Sequence, residues 1–169
     1  MTAVDSGPLR AVRFVADVHL GRLAYYLRLL GFDARYDTNA ADAELLAVSR
    51  DERRILLSRD RALLDHPALW RGYRVRETAP RRQIAEVLAR FDLYRLAAPL
   101  TRCLCCNTPL RVLSPAQAAQ RLPDDIGYRY GAFWECPGCG RTYWQGSHYR
   151  NLKRVACELL APAGEPQSG

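Results

Sequence analysis

The chain has 169 residues, of which 25 are basic and 18 acidic, so it carries a formal net charge of +7 and has a pI near 9.3. Its 49% apolar content is enough for a hydrophobic core and excludes a chain that is disordered over most of its length. No apolar run reaches the roughly 20 residues that cross a bilayer, and no secretory-type segment follows Met1. The sequence therefore predicts a cytoplasmic protein whose cysteines are reduced.

From residue 12 onward, short β-type runs alternate with stretches of helical periodicity. Strands are predicted at residues 12–16, 34–36, 55–57 and 73–75. The first helix carries leucines at positions 20, 23, 27 and 30 and stops at Gly31; the second begins at Asp42, and the last has apolar residues at 84, 87, 88 and 91. Repeated β-α units with short connections favour an α/β fold with a mostly parallel sheet covered by helices.

The character of the sequence changes near Pro99. Five of the six cysteines lie between Cys103 and Cys139, and the regular alternation stops. We therefore predict an α/β domain at residues 12–97 and a smaller cysteine-bearing module, which includes a C-terminal helix, at residues 100–160. Residues 1–11 and 161–169 lack periodicity and are predicted to be flexible termini.

Two Cys-x-x-Cys elements predict a structural zinc site. Each tight turn presents two sulfurs from one side, and four thiolates leave no open position for catalysis. The predicted ligands are Cys103, Cys106, Cys136 and Cys139. The 29 residues between the two elements predict an insertion with a short helix at 115–122. Cys105 is expected to point away from the metal and Cys157 to be a small buried apolar group, and replacement of one cysteine by His148 is an open alternative.

Aromatic and basic residues interleave around the second Cys-x-x-Cys element. Aromatic faces beside guanidinium groups can stack on unpaired bases and hold phosphates, which makes Trp144, His148 and Arg150 candidate RNA-binding residues. The alternative is that the aromatic residues form the core of a small zinc ribbon and the charges are its solvated face. The residues themselves leave both interpretations open.

Three aspartates occupy comparable places in the α/β domain. Asp17 follows the first strand, Asp42 opens the second helix and Asp60 follows the third strand. Loops at the carboxyl ends of adjacent parallel strands converge, and hard cations such as Mg²⁺ or Mn²⁺ would neutralise carboxylates gathered there. The alternative is that Asp42 and Asp60 only cap helices. Further acidic residues are either additional metal ligands or surface charges: Asp37, Glu44 and Asp65.

Several segments resemble a known family. Residues 14–24 (FVADVHLGRLA), 27–33 (LRLLGFD), 42–46 (DAELL) and 55–61 (ILLSRDR), followed by the four predicted zinc ligands and the 143–148 stretch (YWQGSH), are similar to the Mut-seven C-terminal RNase domain family. The resemblance implies a PIN-like α/β/α sandwich followed by a small zinc-ribbon module. It also implies that Asp17, Asp42 and Asp60 bind divalent metal and cleave RNA. This chain departs from the family at residues 38–41, where relatives are richer in acids.

The function predicted from these features is that of a metal-dependent ribonuclease. Asp17, Asp42 and Asp60 would hold Mg²⁺ or Mn²⁺, the zinc would be structural, and the substrate would be RNA, expected to be single-stranded. Residues predicted to contact phosphate are Arg22, Arg59 and Arg61. The alternative is a non-catalytic RNA-binding or adaptor protein in which the aspartates are caps and surface charges.

Overall fold

The main sheet of the protein consists of four parallel strands. A computed structural model describes residues 12–122 and 130–161. The strands lie in the order β2-β1-β3-β4 and span β1 (Arg13–Ala16), β2 (Asp33–Tyr36), β3 (Ile55–Ser58) and β4 (Gly72–Arg74). In the register of the sheet, Ala16 lies beside both Tyr36 and Leu57. Because β1 is flanked by β2 and β3, the chain order reverses there, and a crevice at the carboxyl ends is expected at this point.

Helices connect the strands. A 3₁₀ turn (Val18–Leu20) leads into α1, and a second one (Tyr94–Leu96) follows α4. The helices of this part are α1 (Gly21–Leu29), α2 (Asp42–Asp51), α3 (Arg61–Leu64) and α4 (Pro80–Arg90). Helix α1 ends at Leu29, and the predicted stop residue Gly31 follows its C-cap Leu30 with a φ of +88°, which is readily adopted only by glycine.

The sheet is covered on both faces because its strands alternate. Phe14 and Ala16 of β1 point into a core shared with α1 and α4, whereas Val15 between them points into a smaller core with Leu45 and Leu46 of α2. Central strand β3 is buried along its whole length. The predicted α/β fold with a mostly parallel sheet is therefore confirmed, with helices in layers on both sides.

A small antiparallel sheet follows in the order β5-β6-β7. It consists of β5 (Arg111–Leu113), β6 (Phe133–Glu135) and β7 (Thr142–Trp144). The predicted helix of the insertion is present as α5 (Pro115–Ala119), which is shorter than predicted. Its N-cap is Ser114, whose Oγ accepts a hydrogen bond of 3.2 Å from the Gln117 amide.

The last helix, α6 (Ser147–Leu160), returns to the α/β core. Its buried stripe of Leu152, Ala156 and Leu159 packs against the same core as α1 and α4. Cys157 lies outside that stripe and is exposed, so the prediction that it is buried is wrong. The predicted flexible termini, residues 1–11 and 161–169, lie outside the described residues except for Ala161. In the part of the chain that the structure describes, no helix combines the length and apolarity needed to cross a membrane.

Candidate functional site

Asp17 lies at the carboxyl end of β1, beside the point where the strand order reverses. Its amide donates to the carbonyl of Leu57 (2.9 Å), and only 6% of its surface is exposed. Its Oδ2 accepts a hydrogen bond of 2.6 Å from the hydroxyl of Ser58, whereas no described residue donates to Oδ1 and no described cation pairs with it. Burying a carboxylate without a charge partner is costly, so its position favours a cation ligand.

Ser58 joins Asp17 to the next strand end. Besides donating to Asp17, its fully buried hydroxyl accepts a hydrogen bond of 3.0 Å from the amide of Asp60. Ser58 is not among the site residues predicted from the sequence, where it is only the polar residue that closes the apolar run 55–57. The side chain of Asp17 is thereby connected to the backbone of Asp60 through one hydroxyl group.

Asp60 is exposed and is the N-cap of α3. Its Oδ1 accepts from the amides of Ala62 (2.8 Å) and Leu63 (3.4 Å), so the capping alternative applies to this residue. Neither Arg59 nor Arg61 pairs with it within ion-pair distance in the described residues. Capping occupies only Oδ1, and no described donor binds Oδ2.

Asp42 is the first residue of α2 rather than its cap, and its side chain is exposed. The cap position is Ala41, whose amide donates 2.9 Å to the carboxylate of Glu44. The capping alternative for Asp42 is therefore wrong, and Glu44 has the local structural role instead. Asp37 follows β2 and accepts a hydrogen bond from the Asn39 amide.

The carboxylates do not form a closed metal cage. Among the described residues, the four cysteines are the only group of three or more Cys, His, Asp or Glu side chains whose ligand atoms lie within 4.8 Å of one another. Asp17 and Asp60 are connected through Ser58, but no hydrogen bond joins Asp42 to either. The oxygen donors suit Mg²⁺ or Mn²⁺ chemically, although the three carboxylates do not all reach a common centre.

The four predicted zinc ligands meet. Cys103 Sγ lies 3.7 Å from Cys139 Sγ, and Cys106 Sγ lies 3.2 Å from Cys136 Sγ. Tetrahedral zinc with bonds of about 2.3 Å places its sulfurs about 3.8 Å apart, so this group fits a zinc ion. Exposed Cys105 and exposed His148 are not members of the group.

The two turns that present the cysteines have the same backbone geometry. We call residues 103–107 the first knuckle and residues 136–140 the second knuckle. In each, the fifth residue donates its amide to the carbonyl of the first at 2.9 Å. That fifth residue is Asn107 (φ +69°) in one and Gly140 (φ +73°) in the other, and both types tolerate the left-handed region.

The thiols have opposing ionisation tendencies. Burial raises the pKa of Cys106, but hydrogen bonding with the side chain and the backbone of Thr108 outweighs it and lowers that pKa to about 6. The Arg141 amide favours the thiolate of Cys139, yet burial and the neighbouring sulfurs raise its pKa to about 12. Adjacent thiolates repel one another, and a divalent cation bound by all four removes this conflict.

The first knuckle docks on the α/β domain. The buried guanidinium of Arg28 in α1 donates to the carbonyls of Cys105 (2.7 Å), Leu104 (3.2 Å) and Ala34 (2.9 Å). The Asn107 side chain accepts from the amide of Ala34 (3.0 Å) and donates to Asp33 (2.7 Å). The cysteine module therefore covers the outer edge of β2.

The predicted RNA-binding residues differ in their surroundings. Trp144 is half-buried against the core of the small sheet, whereas His148 and Arg150 are exposed on α6. Arg22 lies over the ring of Tyr25 at 5.7 Å. Arg59 and Arg61 are exposed beside Asp60. Trp134 and Tyr149 stack with centroids 5.3 Å apart and planes 3° from parallel.

The fold and the two candidate sites define an α/β protein with acidic residues at its strand ends and an attached four-cysteine module. A family model described as the Mut7-C RNAse domain matches residues 12–156, and the chain belongs to this family. Membership indicates a ribonuclease-type activity with RNA as the class of substrate. Comparisons with curated proteins and with solved structures give no match.

Proposed function

We propose that the protein is a metal-dependent ribonuclease that hydrolyses RNA phosphodiester bonds at the carboxyl edge of the parallel sheet. Asp17, Asp42 and Asp60 would provide its divalent-metal ligands, and the four-cysteine zinc ribbon would be structural and would aid RNA binding. Family membership supports the reaction class, and the residues at this edge support the place where it occurs.

The observation that carries the proposal is the Asp17–Ser58 hydrogen bond. It holds a buried carboxylate in one orientation at the reversal of strand order and leaves Oδ1 without a described donor. Because Ser58 also accepts from the Asp60 amide, the same hydroxyl fixes the backbone of Asp60, the acidic residue at the next strand end. A ligand site needs this kind of support from residues around it.

Asp42 has the least constrained place of the three. It is exposed at the first position of α2, and Glu44 has the capping role there. One or two direct carboxylates suffice for Mg²⁺ in many protein sites, so Asp17 and Asp60 can be the inner ligands while Asp42 adds negative charge. The bound Mg²⁺ or Mn²⁺ ion supplies activation of water and stabilisation of charge on the phosphate.

The arginines beside the acidic edge would hold the polyanion. Arg59 and Arg61 flank Asp60, are exposed, and pair with no carboxylate in residues 12–122 and 130–161. Arg22 is exposed at the start of α1, close in sequence to Asp17. Free guanidinium groups next to carboxylate ligands are suited to phosphate contacts that keep the scissile bond over the site.

The test is cleavage of labelled single-stranded RNA in Mn²⁺ by the wild type and by Asp17→Asn and Asp60→Asn variants. Asparagine is also a good N-cap, so Asp60→Asn removes the charge while keeping α3 capped. The matched control is Asp51→Asn, which alters an exposed aspartate at the other end of α2. We expect both site variants to lose at least about 100-fold in rate, as is typical for removal of a catalytic group. Unchanged cleavage by the Asp17→Asn, Asp60→Asn double variant would refute the proposal.

The capping role of Asp60 favours a second candidate, a non-catalytic RNA-binding or adaptor protein. In that protein the aspartates would be caps and surface charges, and RNA would be bound but not cut. This second candidate predicts that the wild-type protein binds RNA but shows no Mn²⁺-dependent cleavage of RNA of any length.

A further inference from the structure

A groove of about 520 Å³ runs between the small antiparallel sheet and helix α6. Its volume falls in the range of about 300–1,000 Å³ that is common for ligand sites. Residues of the first knuckle region, of the small sheet and of the start of α6 all contribute to its walls. Its aromatic lining consists of Tyr130, Trp134, Tyr143, Trp144 and Tyr149.

The groove is lined by basic side chains and not by described acidic ones. Arg102, Arg141 and His148 line it, and no carboxylate does so among the described residues. The guanidinium of Arg102 is already paired with Asp33 at 3.9 Å and donates to the carbonyls of Gly31 and Asn107. Arg141 is exposed and has no ion-pair partner in the described parts of the chain. Aromatic walls combined with the unpaired guanidinium of Arg141 and no described carboxylate complement a single nucleic-acid strand, whose bases stack and whose phosphates are negative.

The stacked pair Trp134–Tyr149 is suited to extend such a stack. The two rings lie 3° from parallel with centroids 5.3 Å apart, and both are half-buried. Flat aromatic side chains fixed by each other lose little entropy when a base stacks on them. Bases in a duplex are already stacked on both faces, so this arrangement discriminates against double-stranded RNA.

The groove and the acidic edge lie at opposite ends of α1. The amide of the groove residue Leu100 donates to the carbonyl of Leu29 at 2.9 Å, and the side chain of Arg102 donates to the carbonyl of Gly31 at 3.2 Å. These two acceptors lie at the C-terminal end of α1. Asp17 precedes the other end of that helix. Nine helical residues span about 14 Å, a distance that a stacked strand covers with about four nucleotides at about 3.4 Å each.

We propose that this groove binds unpaired bases of a single RNA strand whose cleaved phosphate lies at the acidic edge. The proposal rests on the proposed ribonuclease function and adds its substrate class: single-stranded RNA long enough to reach both ends of α1. A decanucleotide engages the groove while it occupies the acidic edge, whereas a trinucleotide is too short. Simultaneous binding to the groove and to the acidic edge is therefore available to long strands only.

The test measures binding of a labelled RNA decanucleotide, trinucleotide and duplex by fluorescence anisotropy, in an Asp17→Asn background that prevents cleavage. The groove variants are Tyr149→Ala, Tyr149→Phe and Arg141→Ala. Matched controls are Trp70→Ala and Arg95→Ala, which alter an exposed aromatic and an exposed arginine outside the groove. Zinc content and circular dichroism establish that each variant is folded.

We expect Tyr149→Ala to weaken decanucleotide binding by roughly 5- to 100-fold, the loss typical of one stacked base, and Tyr149→Phe to restore it. Arg141→Ala should weaken binding and reduce the salt slope by about one ion. The controls should bind the decanucleotide as tightly as the Asp17→Asn parent, and the trinucleotide should bind to that parent more weakly than the decanucleotide does. Equal affinities for the duplex and the single strand would overturn the proposal, and so would decanucleotide binding that is insensitive to the groove variants. A groove that binds a protein and no RNA would overturn it as well.

Failure of this inference is distinguishable from failure of the ribonuclease proposal. Cleavage that requires Asp17 but is unaffected by Tyr149→Ala at every RNA length refutes the groove and leaves the nuclease. Binding that depends on Tyr149 and Arg141 without Mn²⁺-dependent cleavage by the wild type supports the groove as an RNA site and refutes the nuclease.

Discussion

The guanidinium of Arg28 donates a hydrogen bond of 2.7 Å to the carbonyl of Cys105, 77 positions later in the chain. Arg28 belongs to the helix that follows Asp17, and Cys105 lies inside the first knuckle. Burial lowers the pKa of Arg28, while the negative charge of the nearby Cys103 and Cys106 sulfurs and of Asp33 opposes that shift. The buried cation therefore links the α/β domain to the cysteine cluster and balances part of its charge.

Replacing Arg28 with methionine should destabilise the protein by about 2–4 kcal/mol. The apolar stem is kept, but the carbonyls of Ala34, Leu104 and Cys105 lose their donor in a buried place. Urea unfolding followed by circular dichroism measures the change. Arg95→Met is the control, since Arg95 is exposed and should change stability by less than about 0.5 kcal/mol. Equal midpoints for Arg28→Met and wild type would contradict the linking role.

Removing zinc should loosen the edge of the main sheet as well as the knuckles. The Ala34 amide on β2 donates to the side chain of Asn107 in the first knuckle at 3.0 Å. Without metal the knuckle loses its anchor, so hydrogen exchange at Ala34 should accelerate after chelation. The Asp17 amide, bonded to Leu57 inside the sheet, is the internal reference and should exchange no faster.

The matched pair of variants for the zinc site is Cys106→Ser and Cys105→Ser. Elemental analysis should find one zinc per wild-type chain and per Cys105→Ser chain, because Cys105 is outside the cluster. Cys106→Ser should bind zinc much more weakly, since it lacks one thiolate. Full zinc content in Cys106→Ser would show that the metal is held elsewhere.

The strands, the helix stop at Gly31 and the zinc ligands could be predicted because each is encoded locally. Apolar runs, glycine in a left-handed turn and the spacing of two Cys-x-x-Cys elements are all visible in short windows. The exposure of Cys157 could be predicted in the same way. Helical spacing aligns Leu152, Ala156 and Leu159, and position 157 falls outside that stripe.

The roles of Arg28, Asn107 and Ser58 could not be predicted in this way, because they depend on partners distant in sequence. Arg28 is one of many arginines in the chain, and its burial results from knuckle carbonyls more than 70 positions away. Ser58 gains its role from Asp17, 41 positions earlier. The cap of α2 at Ala41 was missed because the capping group is Glu44, three residues later.

The stability of the protein should fall in acid through the ion pair between Asp33 and Arg54. Burial of Asp33 raises its pKa, but hydrogen bonds from Arg54 and Asn107 outweigh burial and hold that pKa below its usual value. A depressed carboxyl pKa contributes stability that is complete above the unfolded value of about 3.9 and is lost as the pH falls through the folded value. Asp33→Asn should therefore be less stable than wild type at pH 7, and the difference should narrow below about pH 4. Urea unfolding at pH 7, 5 and 3 measures it, and a constant difference across that range would contradict the assignment.

Alanine at position 31 should destabilise the protein by about 2 kcal/mol or more. Gly31 has a φ of +88°, and a Cβ there would lie 2.2 Å from the carbonyl oxygen of Ala98. Gly131→Ala is the control, because no described heavy atom outside its chain neighbours lies within 4 Å of a Cβ at that position and its φ is not positive. Thermal unfolding should show a lower Tm for Gly31→Ala only, and equal shifts in the two variants would disprove the steric argument.

Manganese should raise the Tm of the zinc-loaded protein. Asp17 is a buried carboxylate without a described cationic partner, so an ion that binds there in the folded state stabilises that state by mass action. At a Mn²⁺ concentration of 100 times Kd, the free energy of unfolding increases by about 2.7 kcal/mol, which raises the Tm of a protein of this size by roughly 5–10 °C. Asp17→Asn should show no Mn²⁺-dependent shift, Asp60→Asn a smaller one than wild type, and Asp51→Asn the full one. Because this readout needs no RNA, a wild-type Tm that ignores Mn²⁺ would argue against the metal site independently of any choice of substrate.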